Sequence, residues 1–267
     1  MPRAGNKKAQ LAKETKRLFD VTQQGDIAVL RMSYGKANAI DVDFCQDIVG
    51  RVDEIKKSPA KGLVLTGEGN IFSAGLDLVQ VLEEGPGYLQ SLVPALSLAF
   101  EALFFCPKPV VAAVNGHAIA GGCLLACTAD YRIMSQGRGR IGIPELLVGV
   151  PFPSSALEIM RFVTNSQQLQ KLMYEGTPYL PEDALGMGLV DELVEPMDLL
   201  DRALEKAEKL ASISPRVFEQ TKKHIRQPTL DRIREGESKF ESSVTDIWGD
   251  PKTVEAIKDY VSRTLKK

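Results

Sequence analysis

Two glycine-containing segments of this sequence carry residues whose types and spacing could stabilise a negative charge. The segments are 72–77 (FSAGLD) and 120–123 (AGGC), and each follows an apolar run that is typical of a buried strand. Small residues leave room for a ligand beside the backbone, so that an N–H can point at a developing oxyanion. We therefore predict an oxyanion hole whose two backbone donors are Ala74 and Gly121.

A single glutamate is the strongest candidate for a general base. Glu145 follows Pro144 and precedes the apolar run 146–148 (LLV). A carboxylate in apolar surroundings is partly desolvated, and desolvation raises its pKa toward the range that suits a base. Judged alone, a single glutamate in such a segment is more often an exposed acid in a loop.

Five sequence blocks follow one another in an order that resembles the enoyl-CoA hydratase/isomerase (crotonase) superfamily. They are 35–40 (GKANAI), 72–78 (FSAGLDL), 115–123 (NGHAIAGGC), 129–133 (ADYRI) and 141–145 (IGIPE). The resemblance extends from about Phe19 to the C-terminus. It implies that the chain binds an acyl-CoA thioester and stabilises its enolate, and the match at Ile-Pro-Glu implies that Glu145 is catalytic.

The order of strand and helix patterns predicts an α/β fold. Apolar, β-rich runs alternate with helix-length segments, which favours parallel strands joined by helical crossovers. The strand runs are Ile27–Met32, Gly62–Thr66, Val110–Val114, Tyr131–Met134 and Leu189–Val194, and the clearest helices are Asp41–Lys57, Tyr88–Phe105, Gly122–Ala129, Ser154–Val163, Gln167–Glu175 and Asp198–Ser212. The resemblance implies a crotonase-like spiral of ββα units with a C-terminal helical lobe that mediates trimer formation.

Composition shifts divide the chain into three segments. Residues 1–17 are basic and polar and lack the apolar region of a secretory signal, so we expect a mobile N-terminal tail. Residues 18–212 carry the alternating pattern of a core domain. Residues 213–267 are helical only, with helices predicted over Pro215–Gln227, Thr229–Trp248 and Pro251–Lys266, and we expect a lobe that docks on the core.

Charge and cysteine content exclude several classes of function. Lys and Arg number 33 against 35 Asp and Glu, so nothing indicates nucleic acid or an anionic membrane surface as a partner. The four cysteines form no disulfide framework, which favours a reducing, cytoplasmic compartment. The longest apolar stretch, Pro109–Ala129, contains Asn115, His117 and small residues, so it predicts a strand, a loop and a helix start rather than a membrane span.

No metal site or separate cofactor is expected. Cys123 and Cys127 have i, i+4 spacing, but the chain has only two histidines, and both cysteines are better explained as small core residues. His117 adjoins the second glycine segment, where a packed loop histidine is the more probable role. Coenzyme A enters only as part of the substrate.

The resemblance also implies a set of residues that contact the substrate or its coenzyme A part, which are Lys36, Ala37, Ala39, Gly75, Leu76, Asp77, Gly122, Leu124 and Pro144. The backbone around Ala37 and Ala39 resembles the family's adenine-binding stretch. Lys36 could approach a phosphate or remain a solvated lysine. For Asp77 we favour a structural role as the N-cap of a helix that begins near Leu78.

The residue that departs from the hydratase pattern is Leu124. Hydratases of the family carry a second glutamate at this place, and hydration needs two carboxylates to hold and deprotonate one water, which leucine cannot do. One base suffices for an isomerase that takes a proton from C2 of a 3-enoyl thioester and returns it to C4. Segments Phe72–Leu78 and Ala120–Ile133 most resemble the Δ3,Δ2-enoyl-CoA isomerase branch of the family, which also has a non-acidic residue at this place. A dienoyl-CoA isomerase would carry an aspartate eight residues after Glu145, where this chain has Pro153.

Alternatives from other classes stay open. Enolate stabilisation also serves hydratases, decarboxylases and hydrolases of this fold, and a non-catalytic acyl-CoA-binding subunit would make Glu145 incidental. A serine protease that shares the fold is disfavoured because no Ser-His pair stands at the needed places. The resemblance implies a homotrimer or a dimer of trimers.

Overall fold

The computed structural model describes residues 18–264 of the 267-residue chain. The predicted tail 1–17 and the last three residues lie outside that range. In the described part, the strands are β1 Phe19–Gln24, β2 Ile27–Met32, β3 Gly62–Gly67, β4 Ile71–Ser73, β5 Val110–Val114, β6 His117–Ile119, β7 Tyr131–Ser135, β8 Ile141–Gly142 and β9 Glu192–Val194.

Helices separate most of these strands. The α-helices are α1 Val42–Lys57, α2 Leu78–Glu84, α3 Pro86–Phe104, α4 Gly121–Cys127, α5 Glu145–Val148, α6 Ser154–Val163, α7 Ser166–Glu175, α8 Pro181–Gly186, α9 Leu199–Ala211, α10 Pro215–Gly249 and α11 Pro251–Thr264. A single 3-10 turn, Pro196–Asp198, precedes α9.

The strands form two sheets. The larger has six strands in the order β1-β2-β3-β5-β7-β9, and the smaller has three in the order β4-β6-β8. Only β1 and β2 are antiparallel, and every other pair is parallel. The α/β class with parallel pairing, predicted from the alternation of strands and helices, is confirmed.

The central strands of the larger sheet, β2, β3, β5 and β7, are buried on both faces, as parallel strands with helical crossovers require, whereas β1 is exposed beyond Phe19. Alternate residues of each strand enter different apolar clusters because successive side chains point to opposite faces. On β2, Leu30 joins the main core with α1 and α3, whereas Val29 packs toward α9. The face toward α9 is built from Ile27, Val29, Val64, Val111, Ala113, Ile133, Leu199, Ala203 and Ala207.

The C-terminal helices differ from the prediction in one respect. The helices expected over Pro215–Gln227 and Thr229–Trp248 are one continuous helix, α10, which contains Pro228. A proline removes one backbone hydrogen bond and normally breaks a helix. Here α10 packs against α6 and α3, and the buried side chains of Arg226, Thr229 and Ile233 hold its turns to the core on both sides of the proline.

Two apolar segments have the length of a membrane span, and neither has the structure of one. The stretch 109–129 contains the predicted strand, β5, and the predicted helix start, α4, but the segment predicted as a loop includes the short strand β6. By length and hydropathy alone, α3 could cross a bilayer, but 56% of its apolar window is buried within the protein. Since it packs against α1, α6 and α10, α3 is a core helix of this fold.

Candidate active site

The small sheet brings together the three segments to which chemistry was assigned. Its strands β4, β6 and β8 are parallel neighbours, so their carboxyl ends lie at the same edge. Residues 74–77 follow β4, residues 120–121 follow β6, and residues 143–145 follow β8. Segments as far apart in sequence as Ala74 and Glu145 therefore meet at one edge.

Glycine is required where the first two segments touch. Gly75 has a φ of +87°, and a Cβ there would lie 2.7 Å from both the Ala120 Cβ and the Ile119 carbonyl oxygen. At Gly122 a Cβ would lie 2.2 Å from the Ser73 carbonyl oxygen. The glycines thus permit close backbone approach between the strand ends and α4.

The start of α4 presents one backbone N–H, that of Gly121, which is a candidate donor. Ala120 precedes the helix with a φ of 55° and a ψ of −124°, a conformation that costs an alanine on the order of 1–3 kcal/mol. Gly121 is the first helical residue, so its N–H has no acceptor within the helix. The strained turn at Ala120 sets the direction of the Gly121 peptide, which agrees with the predicted donor role of Gly121.

The other predicted donor, Ala74, is engaged elsewhere. Its N–H donates to the Ala37 carbonyl oxygen at 2.9 Å, and the Gly75 N–H donates to Ser73 Oγ at 3.2 Å. The prediction that Ala74 offers a free N–H is therefore wrong for this structure. The next peptide along the segment, that of Leu76, becomes the candidate donor.

The geometry of the chain at Leu76 leaves its N–H free. Leu76 forms a parallel bridge with Ile40, in which the Ile40 N–H donates to the Gly75 carbonyl oxygen at 2.8 Å and the Asp77 N–H donates to the Ile40 carbonyl oxygen at 2.9 Å. The Leu76 peptide N–H faces away from that bridge. It donates no hydrogen bond within residues 18–264, and Leu76 lines the cavity described next.

A cavity of about 50 Å³ lies at this edge of the small sheet. Most of its wall is apolar, with Glu145 as its one carboxylate among the described residues. Its lining consists of Ala74, Leu76, Leu78, Ile119, Ala120, Pro144, Glu145, Val148, Val150, Trp248 and Tyr260. Of the residues singled out from the sequence, Ala74, Leu76, Pro144 and Glu145 are therefore brought together.

The Glu145 carboxyl group is buried and incompletely hydrogen-bonded. The residue is 8% exposed, and its Oε2 has no hydrogen-bond partner in the described part of the chain. Burial raises the pKa of Glu145 to about 8, although a hydrogen bond from its own backbone N–H acts in the opposite direction. A buried acid that aims an unpartnered oxygen at a cavity can exchange a proton with a bound ligand.

Comparisons with known proteins decide the family. The model of the family described as enoyl-CoA hydratase/isomerase matches residues 22–263. The chain belongs to the enoyl-CoA hydratase/isomerase family. This membership confirms the resemblance that the five sequence blocks indicated.

Individual relatives carry the names of two different reactions. Over 219 residues, the chain is 28% identical to the mitochondrial enoyl-CoA delta isomerase 1 of Rattus norvegicus, which covers 81% of this chain and 76% of the relative. It is 30% identical over 206 residues to the short-chain-enoyl-CoA hydratase of Clostridium acetobutylicum, with 76% and 78% covered. The family therefore identifies an enoyl-CoA enzyme but not its reaction.

The fold agrees with solved structures of the family. The crystal structure of human mitochondrial delta3-delta2-enoyl-CoA isomerase superposes with a TM-score of 0.89, covering 93% of this chain and 98% of that one at 23% identity. This likeness confirms the crotonase-like fold that was expected.

Other predicted site residues of this enoyl-CoA hydratase/isomerase family member lie outside the cavity wall. Leu124 is 2% exposed and packs in the main core. Gly122 supports the contact between α4 and β4. Asp77 is the N-cap of α2, with its carboxylate accepting from the Gln80 N–H at 2.9 Å, which confirms the favoured structural role.

The residues predicted to contact coenzyme A near Lys36 lie in a loop that is hydrogen-bonded to the first glycine segment, residues 72–77. Lys36 is exposed, Ala37 and Ala39 are half-buried, and the Ala37 carbonyl oxygen accepts the Ala74 N–H. Asn38, which has a φ of 47°, donates its side-chain amide to the Phe72 carbonyl oxygen at 3.0 Å. Their contact with coenzyme A remains a prediction.

The remaining polar and sulfur side chains have structural roles. His117 Nδ1 accepts the Arg140 backbone N–H at 3.3 Å, so it is a packed histidine as favoured. Cys123 and Cys127 are fully buried. No group of three or more metal-ligating side chains occurs within residues 18–264.

Among the site residues that sequence reasoning missed are its two aromatic residues, Trp248 and Tyr260. They lie on α10 and α11, more than 100 residues after Glu145 along the chain. No local motif marks either position. Only the packing of the C-terminal helices against α2, α3 and α5 brings them to the cavity.

Proposed function

We propose that this protein is an enoyl-CoA isomerase that moves a double bond from C3 to C2 of a 3-enoyl-CoA thioester. The observation that carries the proposal is the cavity with Glu145 as its one carboxylate among the described residues. Two proton transfers at nearby carbons need a single base that can take a proton and return it. A carboxyl group with a pKa of about 8 is suited to both directions near neutral pH.

The reaction follows from the placement of the site groups. Glu145 takes a proton from C2 of the thioester, and the electron pair moves to the thioester oxygen to give a dienolate. The free N–H groups of Leu76 and Gly121 hydrogen-bond that oxygen as its charge develops. The same carboxyl group then delivers the proton to C4, which leaves the double bond between C2 and C3.

Hydration is the second candidate, because relatives named hydratases match as well as those named isomerases. Hydration requires a second acid or base to hold and activate water. The position of the family's second glutamate is Leu124, which is packed in the core and lies outside the cavity wall. These facts favour isomerisation.

The proposed coenzyme A contacts and oligomeric state are those that the resemblance to the family implies. Coenzyme A is bound as part of the substrate, with Lys36 and the backbone near Ala37 and Ala39 on its nucleotide side, and no further cofactor is needed. We propose a cytoplasmic homotrimer or dimer of trimers.

Replacement of the base tests the assignment. Glu145→Gln keeps the size and hydrogen-bonding capacity of the side chain but removes its basicity, so we expect kcat for 3-enoyl-CoA to fall by at least ~100-fold. Glu255→Gln, on the exposed face of α11, is the matched control and should keep wild-type activity. Binding of a saturated acyl-CoA should be unchanged in both variants, and full activity of Glu145→Gln would exclude Glu145 as the base.

A further inference from the structure

Two aromatic side chains from the C-terminal helices, Trp248 and Tyr260, line the same cavity as Glu145. Trp248, near the end of α10, is 2% exposed, and its indole N–H donates to the Pro151 carbonyl oxygen at 3.1 Å. The Tyr260 hydroxyl on α11 is hydrogen-bonded to the side chain of Thr264. Because their polar atoms are engaged elsewhere, the two rings present mainly carbon surface to the cavity.

Tyr260 lies close enough to Glu145 for their charges to interact. Burial raises the pKa of Tyr260, and the Glu145 carboxylate raises it further. The phenol therefore stays neutral at physiological pH and adds no charge beside Glu145, which is the one carboxylate in the cavity wall within residues 18–264.

The two rings belong to a packed apolar cluster rather than to a loose loop. The cluster joins α2, α3, α10 and α11 beyond the end of α5, and it is separate from the main core. Ile257 and Val261 are its buried members on α11, at 0% and 8% exposure. Ile257 and Val261 are four residues apart and share one face of α11, and Tyr260 follows Ile257 by three residues, so this packing holds Tyr260 at the cavity.

The space that remains beside Glu145 is small. The cavity has a volume of about 50 Å³. For comparison, an engineered apolar cavity of ~150 Å³ binds benzene, a molecule of six carbons. The space between Glu145 and the two rings therefore admits only a few carbon atoms, and the reacting carbons of the substrate take most of it.

We propose that Trp248 and Tyr260 form an end wall that makes this enzyme favour short acyl chains over long ones. This inference rests on the proposed function. A longer chain would have to displace rings that are packed on their far side.

Chain-length selectivity tests the end wall. We expect wild-type kcat/KM for 3-hexenoyl-CoA to exceed that for 3-decenoyl-CoA by at least ~10-fold, since a close-packed pocket rejects extra methylenes. Tyr260→Ala should reduce that ratio by at least ~10-fold, mainly by raising the rate with the longer substrate. Tyr174→Ala, at a side chain that is 71% exposed on α7, is the control and should keep the wild-type ratio.

A binding measurement separates this inference from the proposed function. Calorimetric titration with hexanoyl-CoA and decanoyl-CoA, which cannot react, should show the same preference and the same loss of it in Tyr260→Ala. Selective binding without turnover of any 3-enoyl-CoA would refute the isomerase but support the end wall. The end wall would be overturned if the wild type had equal kcat/KM values for 3-hexenoyl-CoA and 3-decenoyl-CoA. It would also be overturned if the ratio of these values were the same in Tyr260→Ala and Tyr174→Ala. Should Tyr260→Ala fail to fold, Tyr260→Leu makes the same test with a smaller loss of packing.

Discussion

The Glu145 carboxyl group is buried where its negative charge is poorly solvated, and this burial determines the pH range in which it can act as a base. With a pKa of about 8, it is mostly protonated at neutral pH. A protonated carboxyl group cannot take the C2 proton, so the free enzyme is active only in the fraction that is ionised. Because burial raises the pKa of Glu145, the rate of the reaction should depend on pH in the range where this carboxyl group ionises.

We predict that kcat/KM for 3-enoyl-CoA rises with pH, reaches half of its maximum near pH 8 and levels off only above about pH 9. The ionised fraction of such a group is roughly one tenth at pH 7 and nine tenths at pH 9, so the rate should rise about tenfold between these values. The measurement is a pH profile at substrate concentrations below KM. A profile already flat from pH 6 upward would show that the base titrates with an ordinary carboxyl pKa.

Single residues of the site were predictable from the sequence to different degrees. Glu145 was found because Ile-Pro-Glu matches a family segment and because its neighbours are apolar. Leu76 was not recognised as a donor, because the argument from small side chains favoured Ala74. Which N–H of a loop is free depends on its partners, here Ala37 and Ile40, and those partners are known only once the loop is folded.

At the scale of elements, the small sheet is the part that positions the chemistry. Its strands have three, three and two residues, too short to show a periodic pattern. They were therefore absent from the predicted elements, although the glycine segments that follow two of them were recognised. The longer strands and helices, such as β5 and α6, have enough residues to show their period and were predicted.

The contact between the ends of β4 and β6 should not tolerate a side chain at Gly75. We predict that Gly75→Ala lowers the free energy of unfolding by at least ~2 kcal/mol and also lowers kcat, because the new Cβ would collide with the Ala120 Cβ and the Ile119 carbonyl oxygen. Thermal and denaturant unfolding, followed by kinetics, would measure both effects.

The matched control is Gly69→Ala. Gly69 also has a positive φ, +66°, but a Cβ there would meet nothing within 4 Å. It therefore carries the backbone strain without the collision, and we expect a loss of about 1 kcal/mol and unchanged kcat. Equal losses in the two variants would mean that the strand ends are less closely packed than described here.

At the scale of the whole molecule, α10 links the core to the wall of the cavity. Near its middle, the Arg226 guanidinium pairs with Asp130 at 2.8 Å, donates to the Phe104 carbonyl oxygen, and lies over the Phe104 ring. Lys222 pairs with the same carboxylate at 2.7 Å. These buried contacts fix α10 to the core, and its far end carries Trp248.

Removal of Arg226 should therefore loosen the whole C-terminal region. Because Arg226 is 3% exposed, Arg226→Ala leaves carbonyl oxygens without donors and weakens the pairing of Asp130, and we expect a loss of roughly 3 kcal/mol in the free energy of unfolding. Arg216→Ala, at an exposed position in the first turn of α10, should cost less than about 0.5 kcal/mol. Equal stability of the two variants in urea unfolding would contradict this role.

The large-scale organisation was predictable from the sequence where it depends on local composition. It was not predictable where it depends on how the C-terminal helices pack against the core. The alternation of strands and helices predicted the α/β core, and the helical C-terminal segment was recognised. The continuity of α10 through Pro228 and the approach of Tyr260 to Glu145 depend on side chains buried against distant elements. The division of the chain at residues 212 and 213 and the trimeric assembly stay predictions.

The central claim is that the protein isomerises an enoyl thioester with one carboxylate and does not hydrate it. The most direct measurement compares two rates of the purified wild-type protein: conversion of 3-hexenoyl-CoA to the conjugated 2-enoyl product, and addition of water to 2-hexenoyl-CoA. With Leu124 in the core and Glu145 as the one carboxylate that lines the cavity among residues 18–264, we expect isomerisation to be faster by at least ~100-fold. A hydration rate equal to or above the isomerisation rate would contradict the account.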